Sequence, residues 1–185
     1  MVPNGMGYGQ VKLTRNVTLG KWRGPCEKEG VYGEAATPLG KVTLIRSPAS
    51  RTDILALAER RERWKLILSG GVVMELEDFG APGYMSQKLL KRGVSGRLDG
   101  TGFDIEASSV WRYSRRHVSF SGLDVTFVSR IMGVELREGG RQVALRGVGG
   151  DWDMCNASGK AVLSACLFEW ADMGFFLRTP FVRLL

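Results

Sequence analysis

The sequence predicts a mainly β domain: an antiparallel barrel or sandwich of about 11–12 strands packed around an apolar C-terminal helix, with one short helix near 51–61. Three observations carry this reading. Short segments alternate apolar and polar residues with period two, and turn residues separate them roughly every 8–12 positions. No sustained alternation of strands with helices points to a parallel sheet. One late segment, 160–173, has helical length and is apolar over most of its circumference.

Residues 1–9 alternate Gly5, Gly7 and Gly9 with Met6 and Tyr8, and read as a flexible lead to a single domain spanning 10–185. From Val11 to Leu19, Val11, Leu13, Val17 and Leu19 share one face of a strand. Val31–Ala36 and Val42–Ile45 form a hairpin about Thr37-Pro38-Leu39-Gly40. Ser50 and Asp53 resemble a capping box for a helix over 51–61, whose end, Glu59 to Arg63, is a mixed-sign run that reads as solvated. Trp64–Leu68 and Val72–Glu77 make a second hairpin about Ser69-Gly70-Gly71. Residues 79–100 are irregular and rich in glycine. Strands resume at Phe103 and Ile105, Val118 and Phe120, and Val125 and Phe127. Val134 and Leu136 then face Val143 and Leu145 across a Gly139-Gly140 turn, and Trp152 and Met154 form a last short strand.

In the helical segment 160–173 only Lys160, Ser164, Glu169 and Asp172 are polar. Burying its large apolar side chains is worth on the order of 10 kcal/mol before entropy, comparable to the net stability of a domain. Such a helix must be enclosed. A membrane-lying helix would carry Lys and Arg on its polar face, whereas this one carries Glu169 and Asp172. Ser158 suits its N-cap and Gly174 its left-handed terminator. The tail 174–185 continues apolar with Phe175, Phe176 and Leu177.

The strand pair Val134-Glu135-Leu136 and Gln142-Val143-Ala144-Leu145, followed by Ala161-Val162-Leu163-Ser164-Ala165-Cys166-Leu167-Phe168, resembles the tubby C-terminal and LURP-one-related group, which includes phospholipid scramblase-like proteins. The resemblance covers about residues 11–175 as a pattern. It implies a barrel of twelve strands or so around a hydrophobic C-terminal helix, and in some members phosphoinositide binding or action near membranes. It transfers no binding residue.

Hydrophobic residues at 44% and charged residues at 24% exclude a disordered chain. No apolar run reaches the roughly 18 residues of a membrane span, and the N-terminus lacks the apolar core of a secretory signal. Three cysteines with no C-x-x-C pair disfavour structural zinc and a disulfide framework, so a reducing, cytoplasmic setting is expected. Arg outnumbers Lys by 18 to 8, which fits a GC-rich bacterial genome.

A net charge of +7 favours anionic partners. Residues 79–116 carry seven basic and three acidic groups. Within and just beyond them, Lys88, Lys91, Arg92, Trp111, Arg112, Arg115, Arg116 and His117 form the candidate ligand-binding set. Guanidiniums bind phosphate bidentately, and an interleaved aromatic stacks on a base or lies at a lipid headgroup. His117 is the only imidazole, so any Ser-His or Cys-His chemistry would need it; it reads better as a strand-start residue. The acid pairs Glu75/Glu77, Asp104/Glu106 and Asp151/Asp153 read as solvated strand faces. No cofactor or metal is implied. The expected function is a non-enzymatic binding or assembly domain for anionic, phosphate-bearing ligands such as phospholipid headgroups. The alternatives are nucleic-acid binding through the same patch, or a structural subunit of a larger assembly such as a virion, docking through the N-terminal lead and residues 175–185. A hydrolase is the weakest.

Overall fold

Alternating side chains force one face of each strand toward a shared interior. The computed structural model describes residues 10–48, 61–82, 89–108, 110, 115–154 and 156–178. Its strands are β1 (Gln10–Val11), β2 (Leu13–Arg15), β3 (Gly30–Thr37), β4 (Gly40–Pro48), β5 (Arg61–Leu68), β6 (Gly71–Gly80), β7 (Val94–Leu98), β8 (Thr101–Ser108), β9 (His117–Ser121), β10 (Val125–Arg130), β11 (Gly133–Glu138), β12 (Arg141–Arg146) and β13 (Trp152–Asp153). The helices are α1 (Leu19–Arg23) and α2 (Gly159–Trp170), and a 3-10 turn follows at Met173–Leu177.

From β2 through β13 each strand pairs antiparallel with its neighbour in sequence, and β13 also pairs with β1. The two ends of the sheet, β1 and β2, are pieces of one extended segment broken only at Lys12. No ladder joins them, so the end strands do not close the sheet into a barrel by pairing. Their covalent proximity nonetheless makes the sheet curl round on itself. Counted with 10–15 as one segment, it has twelve extended segments, as the alternation predicts.

Helix α2 runs through the interior of this curled sheet. Every residue from Ala161 to Phe168 is buried, and only Lys160 and Glu169 of the helix are not. Phe168 stacks on Phe127 of β10 at 4.2 Å between ring centres and meets Trp152 edge-on. Trp170 packs directly on Gly33 of β3, where a β-carbon would lie 2.8 Å from the indole, which leaves no room for a side chain. The Trp170 Nε1 donates to the Thr14 carbonyl across the β2–β3 seam (3.2 Å). Ser158 caps the helix: its Oγ accepts from the Ala161 amide (3.4 Å) and donates to Glu138 (2.9 Å).

Ser164, buried mid-helix, has a hydroxyl with no hydrogen-bond partner among the described residues. A buried unsatisfied hydroxyl is a net cost, so Ser164→Ala is expected to raise unfolding free energy by about 1 kcal/mol, read as a rise in the urea midpoint at unchanged slope.

Several local expectations change. The first strand ends at Arg15 rather than Leu19, because α1 turns Trp22 into the core and leaves Leu19 52% exposed. Helix α2 ends at Trp170, and the left-handed residue after it is Asp172 (φ 55°) rather than Gly174; aspartate tolerates that conformation better than most side chains. Strand β7 occupies part of the stretch that reads as irregular. The lead 1–9 and the helix expected over 51–61 lie outside the described residues, apart from Arg61, which opens β5. The tail beyond Arg178 also lies outside them.

Candidate functional site

An up-and-down sheet sorts its connections between two ends, and here the ends differ. One end carries the tight turns Pro38–Leu39, Ser69–Gly70, Asp99–Gly100, Gly122–Asp124 and Gly139–Gly140. In the second, third and fifth of these, both central residues have positive φ, the twist that matches a two-residue hairpin. The other end carries the connections 16–29, 49–60, 81–93, 109–116, 131–132 and 147–151. Binding residues concentrate on connections held by a rigid scaffold, and this long-loop end is the candidate site.

Of the expected ligand-binding residues, Lys91, Arg92, Arg115, Arg116 and His117 are described and fall at this end, but they are not equivalent. Lys88, Trp111 and Arg112 lie outside the described residues. Lys91 and Arg92 are exposed just before β7, and Arg115 is exposed just before β9. The two connections are separated by the width of β8, so roughly 10 Å. Arg116 does not belong to an exposed patch: it is 2% exposed. Its Nε donates to the Val110 carbonyl (2.9 Å) and its Nη1 to the Arg178 carbonyl (2.6 Å), tying the β8–β9 connection to the C-terminal segment. His117 is half-buried and opens β9; its Nδ1 donates to the Arg115 carbonyl (3.0 Å), an oxygen that only accepts.

At the mouth of the sheet, Arg146 of β12 meets Glu169 of α2. The Arg146 Nη2 donates to Glu169 Oε2 (3.2 Å), its Nε forms an ion pair with Oε1, and Trp152 Nε1 donates to Oε1 (3.2 Å). Burial pushes the Glu169 carboxyl above its ordinary range, and Arg146 opposes that shift. Two clefts flank the pair. One of about 350 Å³ is lined by Lys12, Arg15, Gly150 and Asp151; the other, of about 260 Å³, by Ser129, Gly133, Asp172 and Arg178.

A charged cluster that sequence reasoning missed closes part of the same mouth. Arg46 of β4 and Glu62 of β5 are almost wholly buried (0% and 2% exposed) and joined by two hydrogen bonds, Nε to Oε2 (2.7 Å) and Nη2 to Oε1 (2.8 Å). Arg46 also donates to the carbonyls of Trp22 and Gly24, both at 2.8 Å. Glu62 accepts from the Cys26 amide (2.9 Å) and Trp64 Nε1 (3.0 Å). The guanidinium lies 4.4 Å from the Tyr32 ring centre and 5.3 Å from that of Trp64. The pair thus fastens segment 22–26 across the mouth, where Trp22 Nε1 reaches the Trp170 carbonyl (3.2 Å). The signal was the register: Glu62 is in phase with Trp64 and Leu66, and Arg46 with Val42 and Leu44, on the inward faces. The mixed-sign run hid it.

No family model, curated protein or solved structure matches this chain. Its chemistry therefore rests on the residues themselves. Among the described residues no group of three or more His, Cys, Asp or Glu is placed to hold a metal. The acid pair Glu75 and Glu77 lies on the outer face of β6, facing Lys65 and Arg63. Asp104 accepts from the Ser95 hydroxyl (2.5 Å). Burial pushes the Cys166 thiol up to about 12, the wrong direction for a nucleophile. No helix among the described residues is long and apolar enough to cross a membrane.

Proposed function

We propose that this chain is a non-enzymatic binding domain that takes an anionic, phosphate-bearing ligand, such as a phospholipid headgroup, at its long-loop end. The observation that carries this reading is the placement of Lys91, Arg92 and Arg115, exposed on two connections at the same end. The sheet enclosing α2 supplies a rigid frame for them. The likeness to the tubby C-terminal and LURP-one-related group, some of whose members act near membranes, is in keeping with such a ligand.

The test uses a soluble probe, inositol hexakisphosphate, and the triple variant Lys91→Ala, Arg92→Ala, Arg115→Ala. All three side chains are exposed, so the melting temperature is expected to move little. Affinity is expected to fall by roughly tenfold or more, and wild-type binding should weaken as salt rises. Unchanged affinity in the triple variant would remove these residues from the site. Arg116 is left intact because its loss would act through folding. An oligonucleotide that binds far more tightly than the hexakisphosphate, with steep salt dependence, would favour nucleic acid instead.

A further inference from the structure

Two-residue hairpins normally use Gly, Asn, Asp or Ser at the turn, and the tight-turn end obeys this at Ser69–Gly70, Asp99–Gly100 and Gly139–Gly140. Among the described residues, the one two-residue turn at the long-loop end is Ile131–Met132, between Arg130 and Gly133 of a paired β10–β11. Ile131 is 93% exposed and Met132 72%. Neither takes positive φ, so backbone geometry gives no reason for these residues.

A second apolar tip stands beside the first. Val148, on the β12–β13 connection, is 77% exposed. The two tips leave from paired strands, β11 and β12: Val134 pairs with Arg146, and Gly133, with φ at +147°, packs so close to the β12 end that a β-carbon there would lie 1.9 Å from the Arg146 carbonyl. Leu19 and Val110 are further exposed apolar residues on connections at this end. The connections 131–132 and 147–151 carry one acid, Asp151, and are flanked by Arg130 and Arg146. Arg130 and Arg146 are held behind the tips by Glu135 and Glu169, while Lys91, Arg115 and Arg178 are exposed cations at the same end.

We infer that the Ile131–Met132 turn and Val148 insert into the surface of an anionic bilayer, with the exposed cations of the long-loop end over the lipid phosphates. This rests on the reading of that end as an anion-binding surface. The tips are convex, so a rigid protein partner would need a matching apolar socket. Of the clefts at this end of a second copy, two carry charged groups such as Lys12, Arg15, Asp151 and Asp172 on their walls, and a third, of about 440 Å³ beside β3, sets Lys21, Glu27, Lys28 and Glu29 among its apolar residues, so the bare apolar tips would meet charge in each. A fluid interface moulds to the tips, and shallow apolar insertion combined with basic charge is the usual pattern of peripheral membrane contact.

The experiment is co-sedimentation of the full chain with phosphatidylcholine vesicles, with and without phosphatidylserine. The wild type should sediment with the phosphatidylserine vesicles and scarcely with the others. Ile131→Ser with Met132→Ser should weaken partitioning by about tenfold or more, at unchanged melting temperature and unchanged affinity for inositol hexakisphosphate. An Ile131→Trp variant should acquire emission that brominated acyl chains quench. Wild-type sedimentation by the double serine variant, absence of quenching, or loss of a wild-type dimer in light scattering on making the serine variant would each overturn insertion. A wild type that binds hexakisphosphate but ignores both vesicles overturns insertion and leaves anion binding standing. Tip-dependent vesicle binding with no affinity for hexakisphosphate does the reverse.

Discussion

Leu167→Asp is expected to drive the chain into the insoluble fraction, with no cooperative unfolding transition in any soluble remainder. Leu167 is wholly buried, within a run of eight consecutive buried residues of α2. The helix is surrounded by strands on the described faces, so an aspartate there has no route to water by a simple rotamer change. An unpaired ion in such an interior costs several kcal/mol even after relaxation, and the leucine's own burial is lost as well, a further ~1.5–3 kcal/mol. A domain of ordinary stability has only about 5–15 kcal/mol to lose. Leu167→Met, which conserves volume, should cost less than about 1.5 kcal/mol and remain soluble. Solubility, circular dichroism and urea unfolding of the two variants check the pair of expectations together. A well-folded aspartate variant would mean that α2 does not form the interior.

Glu62→Ala should destabilise the protein by about 3–5 kcal/mol, because it strands a buried guanidinium. Arg46 would keep its bonds to the Trp22 and Gly24 carbonyls and its place beside Tyr32 and Trp64, but with no anion to balance its charge. The Cys26 amide and the Trp64 indole would lose their acceptor too. Replacing both ions, Arg46→Met with Glu62→Leu, removes the stranded charge and should recover part of the loss, giving a coupling energy of about 1–3 kcal/mol in a double-mutant cycle. A second readout is chemical. Burial, then the neighbouring Glu62 carboxylate, pushes the Cys26 thiol up to about 12, which suppresses its thiolate at neutral pH. Once segment 22–26 is released, maleimide labelling of Cys26, followed by peptide mass mapping, should accelerate. Unchanged labelling together with a stability loss below about 1 kcal/mol would show that the pair behaves as a surface bridge rather than a fastening.

The elements legible in the sequence are those whose signal is local. Hairpins such as β3–β4 and β11–β12 announce themselves through alternation on either side of turn residues, and α2 through an apolar composition that no surface helix could carry. Elements that depend on distant partners were not legible. The short β7 is a strand because Met74 and Leu76 of β6 offer it a ladder opposite Leu98 and Gly96. Helix α1 forms where it does because Trp22 finds the Trp170 carbonyl 148 positions away.

The candidate site divides in the same manner. Charge density picks out Lys91, Arg92 and Arg115, which do lie exposed at the long-loop end. It cannot separate them from Arg116, adjacent in sequence yet buried, because the difference is made by the carbonyls of Val110 and Arg178. Glu62 sits in a run of charges that composition assigns to solvent, and only the facing Arg46 from the neighbouring strand places it inside. Ile131 and Met132 look like ordinary strand-forming residues until the register shows that they occupy the turn.

By itself, the sequence determined a β-rich chain that must enclose its C-terminal helix, since period-two patterning and unmatched apolar surface are properties of each segment alone. Which end of the sheet holds the long connections, and which charges are fastened inside it, was decided only in three dimensions. The reason is that strand pairing and ion pairing join residues far apart in sequence, and their free energy appears only when both partners are in place.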